Sequence, residues 1–464
     1  MSSHHRLVIA RRWLLLSTCF LFLFLARPAA GASPLLVTVG EVTDRTAVVW
    51  GRGFEAGPLT VEARPTGGGA TITASTSLSL ESDFTGKLLL TNLQPATRYT
   101  YSLRHGKVEV SGTFMTAPSV KGTRHVHFLW SGDLGGGGYC RHVRDGYKIF
   151  RSMATFKPDF FLFVGDTIYA DHRCGGSDVV PGYDFVATSP EEFRAKHRYN
   201  RADPHVQDFF RTTSIYAIWD DHDVRNNFAG PTEPLTASGL QAFIDYWPLR
   251  PPEKEPRRLY RKVRWGKLAE FFILDTRQYR SDNRQPDGQS KTMLGQAQRR
   301  WLLDGVTGSD AVWKVVVSSV PLAVSKGRGA RDSWSSANSS GLPEENGTGF
   351  SVERDAILKM FRARGVKNLV WVTADVHYAQ VIRHRPWPGF SFHEFIAGPL
   401  SATSDQSRPL DVTLNPQSLF DLVDLGNVDN FGEVVIDPRG LTVRIFDASG
   451  TRRFQHTIAP DGPP

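Results

Sequence analysis

Five short apolar runs in this chain stop abruptly at loops that carry carboxylates or histidine, and no other feature narrows the choice of fold as far. Val126–Trp130 ends in Ser131-Gly132-Asp133, and Phe160–Val164 ends in Gly165-Asp166. Ile215–Trp219 runs into Asp220-Asp221-His222-Asp223, Leu268–Leu274 into Asp275-Thr276-Arg277, and Leu369–Val372 into Thr373-Ala374-Asp375-Val376-His377. A single Asp after a strand is more often a helix cap than a ligand. Five such ends in one chain reverse that weighting. In α/β sheets, ligands collect at the carboxyl ends of the strands, so the runs predict neighbouring strands whose ends converge on one site. Between the first two, Tyr147, Ile149, Phe150 and Met153 have the spacing of a helix within Gly146–Pro158.

The segment before residue 119 has a different pattern. Leu36–Val39, Ala47–Trp50, Leu59–Ala63, Leu88–Leu93, Tyr99–Leu103 and Val108–Met115 are short and separated by turn residues, which predicts a β-sandwich. The stretch from Leu93 to Tyr101 resembles the E–F region of fibronectin type III domains, whose Tyr pins a corner, and Trp50 is expected in the sandwich core. Near the other terminus, Glu433–Ile436 and Leu441–Phe446 flank the turn Asp437-Pro438-Arg439-Gly440. Residues 324–350, rich in Ser, Gly, Asn and Arg, predict a long loop near the site. The 42 glycines and 28 prolines show no period, which excludes a collagen-like chain, and 40% hydrophobic with 22% charged residues excludes global disorder.

The N-terminus reads as an export signal. Arg11 and Arg12 precede the apolar run Trp13–Ala26, and Ala30-Gly31-Ala32 forms a cleavage site before Ser33. The run is short for a bilayer span; an uncleaved anchor is the alternative, and the Arg pair also permits a twin-arginine route. Periplasmic, secreted or cell-envelope location is expected. The leader holds four arginines and no acid, so its removal lowers the formal charge from +8 to +4, a weak argument for nucleic acid or anionic membrane. The basic run Leu249–Lys267 contains Tyr260 and Trp265 as its aromatics and reads as a solvated hairpin. No dedicated nucleic-acid or membrane partner is inferred, and nothing in the sequence sets an oligomeric state. Once Cys19 leaves with the signal, Cys140 and Cys174 remain, and two cysteines in an oxidising compartment usually mean one disulfide.

Asp133, Asp166, Tyr169, Asp221, His222, Asp375 and His377 form one constellation if the five strands are neighbours. Hard oxygen ligands mixed with imidazole suit a divalent or trivalent metal, or a pair. A central carboxylate can bridge two ions about 3.5–4 Å apart, which together take phosphate oxygens and lower the pKa of a shared water. Gly135–Gly138 either lets backbone amides approach a phosphate or is simply flexible. Arg225 and Asn226 are candidates to hold phosphate oxygens, and Asp275 and Arg277 are expected to pair with each other beside the site.

The ordered blocks Gly165–Asp171, Trp219–Asn227, Leu274–Arg280 and Asp375–Tyr378, together with Gly295–Leu302 and Glu394–Leu400, resemble the PhoD-like alkaline phosphatase/phosphodiesterase family. The resemblance runs through residues 40–450 and implies an α/β fold, a metallophosphatase-type αββα sandwich with an N-terminal fibronectin III-like β-sandwich domain. The expected organisation is a signal peptide over 1–32, the β-sandwich over 33–118 and the catalytic domain over 119–464. By resemblance, Asp133 is the first-strand ligand, Asp166 the bridging carboxylate and Tyr169 the phenolate ligand of ferric iron. Asp221 sits where the wider group, which includes purple acid phosphatases, has Asn. His222 then falls at the His that contacts phosphate or protonates the leaving group. Asp375 and His377 stand where that group has His-x-His, and Asp at the first place favours Ca²⁺, Mg²⁺ or Mn²⁺ over Zn²⁺. The implied cofactor is a binuclear or multinuclear centre, Fe³⁺ with Ca²⁺ or another divalent ion (Mg²⁺, Mn²⁺ or Zn²⁺).

The chain departs from the family pattern after its first strand. Asp133-Leu134-Gly135 replaces Asp-x-His, and Ser131-Gly132-Asp133 stands where some members place a Cys as thiolate ligand to iron. Cys140 is therefore either half of a Cys140–Cys174 disulfide or an iron thiolate. The expected function is an exported metal-dependent phosphoesterase that hydrolyses phosphate mono- or diesters by attack of a metal-activated hydroxide. No Ser occupies an obvious nucleophile elbow, so no covalent phospho-enzyme is needed. The alternatives are a phosphodiesterase or phospholipase-type enzyme on lipid or polymer substrates, and a non-catalytic binding protein on the same fold.

Overall fold

In the computed structural model, residues 35–326, 332–422 and 428–461 are described, and the leader predicted over 1–32 lies outside them. Seven strands come first: β1 Leu36–Gly40, β2 Ala47–Arg52, β3 Gly57–Pro65, β4 Ile72–Leu78, β5 Thr85–Leu90, β6 Arg98–His105 and β7 Val108–Met115. The α/β region follows with β8 Val126–Ser131, β9 Phe160–Val164, β10 Ser214–Ile218, β11 Arg261–Trp265, β12 Ala269–Ile273, β13 Trp313–Val317 and β14 Leu369–Thr373. Antiparallel strands close the chain: β15 Gln380–Trp387, β16 Phe390–Ile396, β17 Pro416–Asp421, β18 Asn430–Asp437, β19 Gly440–Asp447 and β20 Arg452–Ile458. The helices are α1 Ile149–Thr155, α2 Pro190–Arg201, α3 Pro204–Phe210, α4 Thr236–Tyr246, α5 Gly295–Gly308 and α6 Ser351–Ala363.

Two large sheets carry the site. One has the order β20-β19-β18-β8-β9-β10-β1-β2-β5, the other β11-β12-β13-β14-β16-β15-β17. The runs β8, β9 and β10 are parallel, as are β12, β13, β14 and β16. The five apolar runs are thus not neighbours in a single sheet. Three lie in the first sheet and two in the second, where β13, absent from the sequence reading, separates them. An apolar run shows that a strand is buried on both faces but does not name its partner. The ends still converge because the sheets stack face to face.

Side-chain alternation builds the layers. Phe128 and Phe160 meet Phe271 of the opposite sheet edge-on, each with ring centroids 5.2 Å apart. The next residue, Phe161, turns outward to Phe209 of α3 at 5.6 Å. On the far side, Phe272, Val316 and Trp371 share a buried cluster with Leu302 of α5 and Phe361 of α6. Helices therefore cover both outer faces, the αββα arrangement, and each fully buried Phe contributes roughly 1.5–3 kcal/mol.

The N-terminal strands form a β4-β3-β6-β7 sheet that packs on β1, β2 and β5 around Val37, Val49, Val61, Leu88 and Leu103. Tyr99 pins the corner, its hydroxyl accepting the Gln94 N–H at 2.8 Å. The strand β4, Ser/Thr-rich with only Leu78 buried, escaped the sequence reading because an edge strand carries little apolar signal. Trp50 is not in the sandwich core. Ala47 and Val49 point there, so the two-residue period turns Trp50 the other way, onto Tyr246 of α4 at 5.6 Å with the Arg201 guanidinium 4.5 Å over its ring. The first sheet also crosses this junction. Gly40 pairs with Ile215, and a Cβ at Gly40 would lie 2.3 Å from the Ile215 carbonyl oxygen, so only glycine allows β1 to approach β10 there.

Candidate active site

The segments that follow β9, β10, β13 and β14 line a cleft of about 320 Å³ whose walls include Asp166, Asp221, His222, Asn226, Lys326, Asp332, Asp375 and His377. Four candidate ligands take left-handed backbone: Asp133 (φ 65°), Asp166 (φ 46°), Asp375 (φ 72°) and His377 (φ 59°). Each such residue costs of order 1 kcal/mol relative to ordinary backbone. The strain bends the chain sharply at the strand ends and aims these side chains inward rather than along the sheet.

The contacts join the predicted residues. The Tyr169 hydroxyl lies 2.8 Å from His377 Nε2, which is 3.5 Å from Asp133 Oδ1. Asp166 Oδ1 accepts the His222 N–H at 3.0 Å, and Asp221 Oδ2 accepts the Asn227 N–H at 2.7 Å. The His222 ring stacks on Tyr169 with centroids 4.3 Å apart. Asp133, Asp166 and His377 bring ligand atoms within 4.8 Å of one another, and so do Asp166, Asp221 and His222, with Asp166 common to both groups. The glycine run crosses directly over the Tyr169 ring, where a Cβ on Gly136 would lie 2.3 Å from it. Its role here is close packing on that ring.

The electrostatics are those of a buried cluster of acids. Burial, then Asp221, Asp220 and Asp133, push the Asp166 carboxyl well above the usual carboxylate range. Burial, then Asp166 and Asp133, likewise push the Tyr169 hydroxyl upward. For His222, burial opposes the imidazolium, but Asp221 and the Asp171 hydrogen bond outweigh it and raise its pKa to about 9. Both carboxylate oxygens of Asp133 are buried without a hydrogen-bond partner. Buried carboxylates are otherwise paired or bound to metal, so this donor set of carboxylates, phenol and imidazole fits a metal centre.

Several contributors were missed or misassigned by sequence reading. Asp171 holds His222 Nδ1 at 2.8 Å through one oxygen and accepts the Asn226 N–H at 2.7 Å through the other. Lys326 and Asp332 enter from the 324–350 segment, with nothing in their sequence context to mark them. Arg277 does not pair with the Asp275 side chain through its guanidinium. It bonds Asp220 through Nε and Asp332 at 3.2 Å, while Asp275 accepts the Trp219 indole N–H at 2.8 Å. Arg225 turns away from the cleft, its guanidinium donating to the Ala187 carbonyl at 2.7 Å, whereas Asn226 lies on the cleft wall.

Cys140 and Cys174 form a disulfide, which rules out the thiolate alternative for Cys140 in this state. It ties the glycine loop to the loop after Tyr169. The bond closes a loop of sequence separation 34, for which chain entropy implies about 3–4 kcal/mol. The C140S/C174S double variant is expected to lose about that much in chemical denaturation, and wild-type protein to show no free thiol in denaturant. Two free thiols would contradict the bridge.

Comparisons with known proteins bear on the family and the fold. The model of the PhoD-like phosphatase family matches residues 136–444. Alkaline phosphatase D of Bacillus subtilis (strain 168) is 27% identical over 271 residues, covering 51% of this chain and 44% of that protein. The alignment thus spans less than half the length of that relative. A solved structure of PhoD superposes with a TM-score of 0.74 at 19% identity, covering 92% of each chain. Purple acid phosphatase PPD1 from yellow lupin (Lupinus luteus) seeds superposes with a TM-score of 0.64 at 13% identity, covering 93% of this chain and 75% of the other. At such identities the likeness establishes the fold, which is of the metallophosphatase type. The matched region covers more than half of the sequence and holds Asp166, Tyr169, Asp221, Asp375 and His377, and the chain belongs to the PhoD-like phosphatase family.

Proposed function

We propose that the protein is an exported, metal-dependent phosphoric ester hydrolase acting on phosphate mono- or diesters. The observation that carries this reading is Asp166, buried and shared between two potential ion sites at the converging strand ends. Asp133, Asp166, Tyr169 and His377 would hold one ion, and the phenolate favours ferric iron there. Asp166 and Asp221 would hold a divalent ion beside it, Ca²⁺ being suited to the carboxylate oxygens. When bound, the metals neutralise phosphate oxygens and lower the pKa of water.

The chain's own groups complete the chemistry. Asp171 anchors His222 through Nδ1, which leaves Nε2 as the nitrogen that delivers a proton to the departing alkoxide. Stacking on Tyr169 fixes the ring plane. Asn226 is placed to donate to a phosphate oxygen that the metals leave free. The proposed organisation sets a sandwich over 33–118 against a catalytic region over 119–464, and Asp83 supports it by pairing with Arg52 at 2.9 Å and Arg198 of α2 at 2.5 Å. Export is supported by the leader pattern and by a disulfide, which persists in oxidising compartments. Among the described residues no helix is long and apolar enough to cross a membrane.

The test is elemental mass spectrometry on protein purified after export, with rates on nitrophenyl phosphate and bis-nitrophenyl phosphate from the same sample. Expected are about one iron per chain plus a divalent ion, activity lost on chelation, and a visible phenolate-to-iron absorption band that vanishes in Tyr169→Phe. The ratio of the two rates assigns mono- or diester preference. A folded, metal-free protein that no added metal activates would instead favour a binding protein on this fold.

A further inference from the structure

The cleft contains a third acidic group, Asp220, Asp221 and Asp375, whose oxygens also lie within 4.8 Å of one another. It shares Asp221 with one of the groups around Asp166 and differs from the group of Asp133, Asp166 and His377 in what already touches it. Among the described residues, no Arg or Lys forms an ion pair with Asp133 or Asp166. The third group is contacted by two cations, the buried Arg277 and the half-buried Lys326. Arg277 bonds Asp220 and lies 3.5 Å from Asp221. Lys326 Nζ lies 2.6 Å from Asp375 Oδ2 and 3.2 Å from Asp332, and Asp332 is tied back to Arg277 at 3.2 Å.

We propose that Lys326 is a built-in cation of this cleft, standing where a further divalent ion would otherwise bind, so that the centre holds two ions rather than three. The inference rests on the metal-centre reading above. Its physical basis is charge balance. A divalent ion among Asp220, Asp221 and Asp375 would sit within a few ångströms of an ammonium and a guanidinium that already neutralise these acids, and it would have to displace one of them. Asp133 and Asp166 offer carboxylate oxygens that, among the described residues, no Arg or Lys pairs with. Lys326 also lines the cleft beside His222 and Asn226, so its ammonium faces a bound phosphoryl group as a fixed charge that the medium cannot remove. In this chain Asp375 is accordingly a partner of Lys326, not a metal ligand.

The experiment compares wild-type, K326R and K326Q proteins by elemental mass spectrometry and by calorimetric titration with calcium chloride. Wild type and K326R are expected to hold two ions per chain and to take up no further calcium. K326Q is expected to take up one more, and its KM for nitrophenyl phosphate to rise severalfold without added calcium and recover when calcium is added. Three ions in the wild type would overturn the proposal while leaving the metal-centre reading intact, and so would a K326Q protein, folded by circular dichroism, that binds no additional calcium. A wild-type chain that binds no ion would overturn both. If K326Q does not fold, the wild-type stoichiometry decides alone.

Discussion

Asp166→Asn is expected to remove metal and activity together, with kcat/KM falling on the order of a thousandfold or more, since the metals supply several kcal/mol of charge stabilisation. Asn is the informative replacement. It is among the few side chains that tolerate left-handed backbone, which Asp166 adopts at φ 46°, and its amide oxygen can still accept the His222 N–H. The geometry therefore survives while the shared anionic ligand is lost. Asp166 is crowded by Asp221, Asp220 and Asp133, so the metal-free variant is expected to be at least as stable to denaturant as metal-free wild type. The paired measurement is metal content and rate on one sample, with a denaturation curve in chelator. Full activity, or wild-type metal content, in this variant would remove Asp166 from the centre.

His222 provides the second large effect, and Asp171 shows its cause. His222→Ala is expected to lower kcat by roughly 10²–10⁴ on alkyl phosphates, whose leaving groups need a proton. On nitrophenyl esters the loss should be far smaller, because nitrophenolate leaves without help. Asp171→Asn keeps the ring in place through a neutral hydrogen bond but removes an anion that stabilises the imidazolium. Burial opposes the charged ring, and Asp221 with Asp171 raises its pKa to about 9. Weakening that support lowers the His222 pKa, so the proton donor is lost at lower pH and the alkaline limb of kcat moves downward. Metal content should stay at the wild-type level in both variants. Equal losses on alkyl and nitrophenyl substrates would show that His222 positions phosphate instead of supplying a proton.

The candidate ligands were legible because chemistry and strand endings coincide in the sequence. Gly165-Asp166 directly follows Phe160–Val164, and Asp220-Asp221-His222 directly follows a buried run, so local order alone places these side chains at carboxyl ends. The Cys140–Cys174 pair was legible from its count and from the adjacency of the preceding strands. Arg277 and Arg225 were misread for a common reason. A long guanidinium reaches partners far along the chain, Asp332 in one case and Ala187 in the other, and neighbouring residues do not reveal which way it turns.

The sequence by itself determined the five strands whose ends carry carboxylates and imidazoles, most strands of the N-terminal sandwich, and which family the pattern resembles, because apolar runs and turn chemistry act over a few residues. Only the tertiary structure decided that the five runs divide between two stacked sheets, that Trp50 faces α4 instead of the sandwich core, and that Lys326 reaches Asp375 across the cleft. Those outcomes depend on packing and charge pairing between residues distant in the chain, and such partners are chosen by three-dimensional proximity and desolvation, which no local pattern records.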